Sequence, residues 1–233
     1  MNKNQRLLIK FSGELFKSQT EALAMEKALD VAREIVKIKK DKDIGVVFGG
    51  GNIFRGRSVK ELKLNMSTAH YTGMIATLVN ALAVKMMFDK LDQPSRIISA
   101  LQMPQLLGTS SRLDFNKYFS DDEILIFAAG TGNPFVSTDT AAVVRALEIN
   151  ADYLLKATSV KGIYDSDPKQ NHLAKQFKKL TYQQYLQIPQ AVVLDRTAAV
   201  LAQENSLPIY VFKWGSNALK SAIKLKAGGT LIQ

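Results

Sequence analysis

The chain of 233 residues contains no cysteine and only two histidines, His70 and His172. The absence of cysteine excludes disulfides, thiol nucleophiles and thiolate metal sites. Two histidines do not favour a metal site built from imidazole groups. Residues Met1 to Arg6 lead into only three apolar residues, unlike a signal peptide, and no apolar run reaches the length of a membrane span. We therefore expect a cytoplasmic protein without a membrane partner.

The charge is unbalanced, with 31 Lys+Arg against 21 Asp+Glu and a formal net charge of +10. Such an excess favours anionic partners. The basic residues are scattered, and no stripe of arginine and aromatic residues occurs, so we expect small anionic ligands and no nucleic acid. With 46% hydrophobic residues the chain is typical of a globular protein. No repeat or linker divides it, which predicts one domain over residues 1–233.

The most informative stretch is G-V-V-F-G-G-G-N-I-F-R-G, residues 45–56. Its apolar start predicts a buried strand. The glycines at 49–51 would let a phosphate approach the backbone N–H groups, and Arg55 offers a guanidinium for phosphate oxygens. Alone, the run matches neither common phosphate-loop pattern, and a tight turn with a surface arginine remains an alternative.

Two further loops carry polar groups at predicted strand ends. Lys10 lies near the end of a predicted strand over 6–11, although alone it could be a solvated lysine. A second glycine and hydroxyl loop, residues 130–139, precedes a predicted helix, and a helix N-terminus is a natural anion site. The simpler interpretation is an N-capping turn, with Thr138 or Asp139 as the cap. Both roles are compatible with the same residues.

Strand and helix patterns alternate along the chain. Predicted strands cover 6–11, 44–48, 96–99, 123–128, 152–157, 208–212 and, as a closing edge strand, 228–232. Predicted helices cover 21–40, 67–90, 110–119, 140–150, 181–187, 195–204 with Asp195 as its N-cap, and 217–224. This order predicts an α/β fold with a mainly parallel sheet covered on both faces. Ligands of such sheets bind beyond the carboxyl ends of the strands, where the three polar loops fall.

The predicted helix over 67–90 is apolar around most of its circumference between Gly73 and Val84. A helix of this kind is buried, either in the core or against another subunit. Both alternatives remain open on periodicity alone. We expect the subunit interface, because the small residues would let a partner helix approach closely.

The combined inventory is backbone N–H groups, hydroxyls, Lys10 and Arg55, without a thiol or a catalytic histidine. It suits phosphoryl transfer, in which a protein mainly positions its substrates and neutralises charge. Asp139 could orient the cations or hold Mg²⁺ through water. Spacing alone therefore indicates a kinase-like or nucleotide-binding α/β protein.

Four motifs, in this order, resemble those of the bacterial UMP kinases in the amino-acid-kinase superfamily. They are K-F-S-G-E (10–14), G-G-G-N-I-F-R-G (49–56), T-G-N-P-F through T-D (131–139), and K-A-T through D-P (156–168). The likeness runs from about Leu7 to Ile232. It implies a three-layer αβα sandwich that transfers the γ-phosphate of ATP to UMP with Mg²⁺, in pyrimidine nucleotide biosynthesis. It also implies a homohexamer and feedback inhibition by UTP.

The resemblance assigns site residues position by position. Those matched to ATP are Lys10, Phe11, Ser12, Gly13, Gly51, Arg55, Thr158, Tyr164 and Asp167. Those matched to UMP are Gly50, His70, Thr131, Gly132, Asn133, Pro134, Phe135, Val136, Ser137 and Thr138. The catalytic set is Lys10, Arg55 and Asp139, with Lys156 as a further cation and no residue assigned as a metal ligand.

Two departures from the resemblance affect what we expect. His70 stands where the family usually has an acidic residue that contacts the UMP ribose, and it brings no fixed negative charge. Residues 15–26 lack the glycine-rich stretch that is linked with GTP activation, so we expect inhibition by UTP but little activation by GTP.

Two alternatives stay open at this stage. A sister kinase acting on a carboxylate or carbamate is disfavoured by T-G-N-P-F. A non-catalytic nucleotide-binding regulator is disfavoured by Lys10, Arg55 and Asp139 together, because binding alone needs fewer cations.

Overall fold

The computed structural model describes residues 4–56, 63–108, 114–166, 168, 170–188 and 193–233. Eight strands occur there: β1 (Gln5–Phe11), β2 (Lys42–Phe48), β3 (Ser95–Ser99), β4 (Ile124–Ala128), β5 (Tyr153–Thr158), β6 (Lys179–Leu180), β7 (Ile209–Lys213) and β8 (Thr230–Ile232). They form one sheet in the order β3-β4-β2-β1-β5-β7-β8-β6. Only the β7–β8 pair is antiparallel among these described strands. The carboxyl ends of β1, β2, β4 and β5 therefore meet at one edge.

The seven predicted strands are confirmed, each within two residues at either end. Strand β6 was not predicted, because two residues are too few to show an alternating pattern. The prediction that the last strand lies at the edge is wrong, since β8 pairs with β7 on one side and with β6 on the other.

Eight α-helices occur in the described residues: α1 (Met25–Val36), α2 (Met66–Lys90), α3 (Pro104–Leu107), α4 (Phe115–Ser120), α5 (Thr138–Glu148), α6 (Tyr182–Gln187), α7 (Arg196–Glu204) and α8 (Ala218–Ala222). A 3₁₀ turn covers Gly13–Phe16. Helix α3 was not predicted. Residues 109–113, where the predicted helix over 110–119 starts, lie outside the described residues, and α4 begins at Phe115.

The helix predicted over 21–40 is shorter in the structure at both ends. Before Met25 the Ser18 hydroxyl accepts the N–H of Glu21 at 3.0 Å, which holds a turn in place of a helix. The predicted cap of α5 is also wrong, because the residue that accepts the Thr140 N–H is Ser137. Asp195 is confirmed as the N-cap of α7.

Two hydrophobic clusters lie on opposite faces of the sheet, as the alternation of strand residues requires. On β1, Leu7, Ile9 and Phe11 join the cluster under α1, α2 and α8, whereas Leu8 joins the cluster under α4 to α7. Helices therefore cover both faces, which confirms the three-layer αβα sandwich around a mainly parallel sheet. Lys10 lies on the same face of β1 as Leu8, the face on which α5 packs.

Helix α2 is the longest element, with 25 residues. Its inner face contributes Leu78, Ala81, Val84 and Phe88 to the core. Its outer face carries an exposed apolar stripe, which we call the α2 stripe: Tyr71, Ile75, Val79 and Met86, each 41–58% exposed. Core and exposed positions therefore share one helix.

By length and composition alone α2 could also cross a membrane, contrary to the prediction that no run is long enough. Half of its most apolar window is buried inside the fold, and core helices pass the same test.

Candidate active site

Two lysines and one aspartate meet where β1 and β5 lie beside α5. Lys10 and Lys156 are register partners on these adjacent strands, and Asp139 stands in the first turn of α5. Lys10 Nζ lies 2.7 Å from Asp139 Oδ1, and Lys156 Nζ forms an ion pair with Oδ2. The three side chains are at most 15% exposed. One carboxylate therefore holds two ammonium groups at the sheet edge, with an excess of positive charge.

Burial and the neighbouring charges in this cluster shift the pKa values of Asp139 and Lys156. Burial raises the pKa of Asp139, but the charges of Lys10 and Lys156 outweigh it and lower the pKa to about 2. Burial, followed by the charge of Lys10, lowers the pKa of Lys156 to about 8, against the opposing effect of Asp139. At neutral pH Asp139 is a carboxylate, and Lys156 holds a proton that it loses about one unit above neutrality.

The turns after β1 and β2 require glycine because neighbouring backbone packs closely against each of them. A Cβ at Gly13 would lie 2.5 Å from the carbonyl oxygen of Gly49. A Cβ at Gly50 would lie 2.8 Å from the carbonyl oxygen of Gly73 on α2. Both distances are too short for a real Cβ contact. The turn after β2 thus lies between the Ser12–Gly13 backbone and the second turn of α2, where a ligand can meet backbone N–H groups.

A buried pair of amides fixes this turn to α2. Asn52 and Asn80 exchange hydrogen bonds of 3.0 and 2.8 Å through their side chains. Asn80 also donates to the carbonyl of Gly49 at 2.7 Å, and Asn52 donates to the carbonyl of Ala22 at 2.9 Å. Every amide hydrogen-bonding atom named here has a partner, so the pair specifies one position for the turn.

Arg55 lies above the same turn on the solvent side. Its Nε donates to the carbonyl of Gly51 at 3.2 Å, and its guanidinium pairs with Glu14 at 2.5 Å. The Arg55 side chain is 61% exposed. The guanidinium is thereby anchored to the turn while keeping free N–H groups for an anion.

A cleft of about 340 Å³ opens between α2, the glycine turn and the loop before α5. It is lined by Gly50, Gly51, Phe54, Gly56, Met66, Ala69, His70, Gly73, Met74, Thr77, Gly130, Phe135, Val136, Ser137 and Thr138. The rings of His70 and Phe135 are in contact within this lining, with centroids 4.7 Å apart and ring planes inclined at 54°. The hydroxyl of Thr77 is already engaged, because it donates to Met74 and accepts the N–H of Ala129. The lining described here contains no carboxylate or ammonium group.

The loop before α5 divides into two parts. Its second half, Phe135 to Thr138, lines the cleft. Its first half, Thr131 to Pro134, forms the turn itself and is not part of the cleft wall among the described residues. Gly132 has φ +83°, and its Cβ position lies 3.1 Å from the carbonyl oxygen of Ala100. The first half therefore connects the ends of β4 and β3.

The predicted ATP residues are spread along the ends of β1 and β5. The Phe11 ring is fully buried and stacks on Phe48 at 5.4 Å, so only its backbone is available to a ligand. The Thr158 hydroxyl donates to the carbonyl of Val160 at 2.7 Å. Tyr164 forms a bridge with Gln176 in the excursion after β5. The predicted Asp167 lies outside the described residues.

The sequence did not reveal the part that three residues play in shaping the site, although it predicted one of them, Asp195, as a helix cap. Asn80 fixes the glycine turn, and its only signal was a polar residue inside an apolar helix. Arg145 is 2% exposed, donates to the carbonyl of Gly130 at 2.8 Å and pairs with Glu148 at 2.6 Å. Asp195 accepts hydrogen bonds from Ser137 and Thr140 at the start of α5. No local sequence pattern predicts the contacts of Arg145 and Asp195.

The sequence pattern of the amino acid kinase family matches residues 5–213. The uridylate kinase of Legionella pneumophila strain Paris is 40% identical over 233 residues, which cover 99% of this chain and 94% of the relative. That of Bartonella bacilliformis is 41% identical over 210 residues, covering 89% and 87%.

Solved structures agree with this relationship. The UMP kinase of Ureaplasma parvum superposes with a TM-score of 0.93 at 34% identity, covering 99% of both chains. The UMP kinase of Bacillus anthracis gives a TM-score of 0.93 at 31% identity, covering 100% of this chain and 97% of that one. The resemblance seen in the motifs is confirmed: the chain belongs to the amino acid kinase family, and the relatives that it matches over almost their full length are uridylate kinases.

Proposed function

We propose that the protein transfers the γ-phosphate of ATP to UMP, giving ADP and UDP. The observation that carries the proposal is the Lys10–Asp139–Lys156 cluster, which lies beside a glycine turn and next to an uncharged cleft. The names of the full-length relatives support UMP as the acceptor. A regulator that only binds nucleotides would have no need for two buried lysines that one carboxylate holds together.

The chain itself supplies positioning and charge. Backbone N–H groups of Gly13, Gly50 and Gly51 bind phosphate oxygens, and Arg55 covers them from the solvent side. Lys10 and Lys156 neutralise the charge on the transferred group, while Asp139 keeps both ammonium groups in place. This division of roles needs no nucleophile and no general base from the protein, in agreement with a loose transition state.

The cleft beside α2 holds the acceptor. We assign to UMP the residues Gly50, His70 and Phe135 to Thr138, which line this cleft, and Thr131 to Pro134, which form the turn before them. The absence of ammonium and carboxylate groups from the described lining suits a neutral base and sugar. Thr158, Tyr164 and Asp167 take the adenosine of the donor, beyond the end of β5.

Mg²⁺ accompanies ATP in this proposal. Among the described residues no group of three or more His, Asp or Glu side chains is arranged to hold a metal. Asp139 is the carboxylate of this cluster, with Oδ1 2.7 Å from Lys10 Nζ, and it would meet a hydrated Mg²⁺ through a water molecule. When bound, Mg²⁺ supplies charge neutralisation between the phosphate groups.

A coupled assay of ADP release tests the proposal. We expect turnover with UMP and much poorer turnover with CMP and dTMP. The Lys10→Ala variant should lose most of this activity. Lys40→Ala serves as the control, because Lys40 is exposed and precedes the amino end of β2, away from the site. Equal rates with CMP, or no rate with UMP, would contradict the acceptor assignment. Turnover of a carboxylate or carbamate would favour a sister kinase.

We further propose regulation by UTP. UTP shares uracil and ribose with UMP, so it fits the same cleft, and its additional phosphates reach toward Lys10 and Arg55. Inhibition should therefore be competitive with UMP. Residues 15–23 offer no glycine for a second triphosphate site, which supports little activation by GTP. Initial rates with and without millimolar GTP decide this point, and a several-fold rise contradicts it.

The α2 stripe supports assembly into a homo-oligomer, which we propose to be a hexamer. An exposed apolar stripe on a long helix is covered when two copies pack together. Light scattering should show more than a monomer at micromolar concentration. Val79→Glu should break the oligomer, whereas Val200→Glu on α7, equally 41% exposed, should leave it intact. A monomeric wild type, or equal effects of the two variants, contradicts the assignment.

The remaining expectations belong to the same proposal. We place the enzyme in the cytoplasm, in pyrimidine nucleotide biosynthesis, and treat residues 1–233 as one domain. The single sheet supports the last point, because it joins β1 near the start of the chain to β8 at its end.

A further inference from the structure

One carboxylate connects the starts of two helices at the acceptor side of the site. Asp195 caps α7 by accepting the N–H of Ala198 at 2.9 Å. The same carboxylate accepts the Thr140 hydroxyl at 3.1 Å and the Ser137 hydroxyl on its other oxygen. Thr140 and Ser137 lie 55 and 58 residues away from Asp195 in the chain. The contact is therefore a tertiary link in addition to a helix cap.

The partners of Asp195 set the start of α5. Ser137 is the N-cap of α5 and accepts the N–H of Thr140 at 3.0 Å, while its own hydroxyl donates to Asp195. Ser137 and Thr138 line the acceptor cleft, and the next residue is Asp139, which pairs with both lysines. Any shift of this turn moves the cleft wall and the lysine-holding carboxylate together.

A helix cap alone does not account for these contacts. One acceptor oxygen satisfies the cap, and serine or asparagine serves nearly as well as aspartate. The carboxylate uses its second oxygen on Ser137, outside α7. Its negative charge also lies at the N-termini of two helices at once, where both helix dipoles favour it.

We infer that Asp195 is a positioning residue for phosphoryl transfer. It acts through Ser137 and Thr140 to fix the first turn of α5, and so holds the acceptor cleft and Asp139 in register with the lysines. This inference rests on the proposed function. We therefore expect a substitution of Asp195 to raise the KM for UMP by more than its small effect on the melting temperature would explain.

The test variant is Asp195→Ser. Serine can still cap α7, but its side chain is one bond shorter and cannot bridge to Ser137 and Thr140. We expect the KM for UMP to rise about tenfold and kcat to fall several-fold. The melting temperature should change by less than about 4 °C, because the cap is retained. The KM for ATP should change less than that for UMP.

The matched control removes a cap elsewhere. Thr181 caps α6 with a full capping box, and its hydrogen bonds stay within that helix start. Thr181→Ala should lower the melting temperature as much as, or more than, Asp195→Ser, and leave both KM values unchanged. In the Ser137→Ala background, Asp195→Ser should raise the KM for UMP by a smaller factor than it does in the wild type, because Ser137→Ala already removes part of the bridge.

The outcomes are separable. A wild type that does not phosphorylate UMP removes the proposed function and this inference with it. An active wild type with unchanged kinetics in Asp195→Ser overturns the inference alone. Losses that merely follow the melting temperature, or that add fully in the double variant, also overturn it, since they would assign Asp195 to stability only.

Discussion

We expect Lys156 to make the activity and the stability of the protein respond to alkaline pH in opposite directions. The Lys156 ammonium is 6% exposed, and burial together with the Lys10 charge lowers its pKa from 10.5 to about 8. Above pH 8 the folded enzyme loses one of the two ammonium charges that Asp139 holds. We therefore expect kcat/KM for ATP, which reports ionisations of the free enzyme, to fall above pH 8.

Stability should rise over the same range. Between pH 8 and 10.5 the unfolded chain holds a proton on Lys156 that the folded chain has released, so raising the pH favours the folded state. Each pKa unit corresponds to about 1.4 kcal/mol, which makes the full effect roughly 3 kcal/mol. Below pH 8 both states are protonated, and the folded state carries the whole cost of the buried charge.

The assay compares wild type with Lys156→Arg, since a guanidinium stays protonated at every accessible pH. In this variant the alkaline fall of kcat/KM should disappear, and urea midpoints should no longer rise between pH 8 and 10. Lys220→Arg on α8 is the control and should keep both wild-type profiles. A wild-type kcat/KM that is flat from pH 7 to 9.5, or that falls equally in Lys156→Arg, refutes the reasoning.

Three further predictions concern the same edge of the sheet. Asp139→Ala should lower kcat, because Lys10 and Lys156 lose their shared counter-charge, and the loss of transition-state stabilisation should be on the order of 3 kcal/mol. Steady-state kinetics measures this, and near-normal turnover contradicts it. Asn80→Leu should lower the free energy of unfolding by about 1–3 kcal/mol, since the Gly49 carbonyl and the Asn52 side-chain oxygen lose the donor that Asn80 supplies. Urea titration checks it, and an unchanged midpoint counts against it. Arg55→Ala should lower kcat/KM for ATP but change the free energy of unfolding by less than about 1 kcal/mol, because its pair with Glu14 is exposed; a large stability loss would reassign Arg55 to the fold.

The strands and the glycine turn could be predicted because their signals are local. Alternating residues along β1 put Leu8 and Lys10 on one face, and the three consecutive glycines at 49–51 directly after an apolar run indicate a turn. The edge where Lys10 and Asp139 meet followed from the parallel order of the sheet. Their direct ion pair is the spatial consequence of that order.

Other features depend on partners distant in the chain. Asn52 and Asn80 are 28 residues apart, and Asp195 reaches Ser137 across 58 residues, so no window of sequence contains both members. For Phe11 the motif predicts a position at the site, but the ring is buried in the hydrophobic core. The α5 cap fell on Ser137 because tertiary hydrogen bonds with Asp195 stabilise that residue at the helix start.

Helix α2 carries both the α2 stripe and part of the wall of the cleft. Ile75 belongs to the stripe on its outer side, while Gly73 and Thr77, each two residues away, line the cleft on its inner side. A helix of 25 residues is a rod about 37 Å long that resists bending over one turn. A tilt of this helix imposed at its outer face would therefore also displace Gly73 and Thr77 in the wall of the cleft.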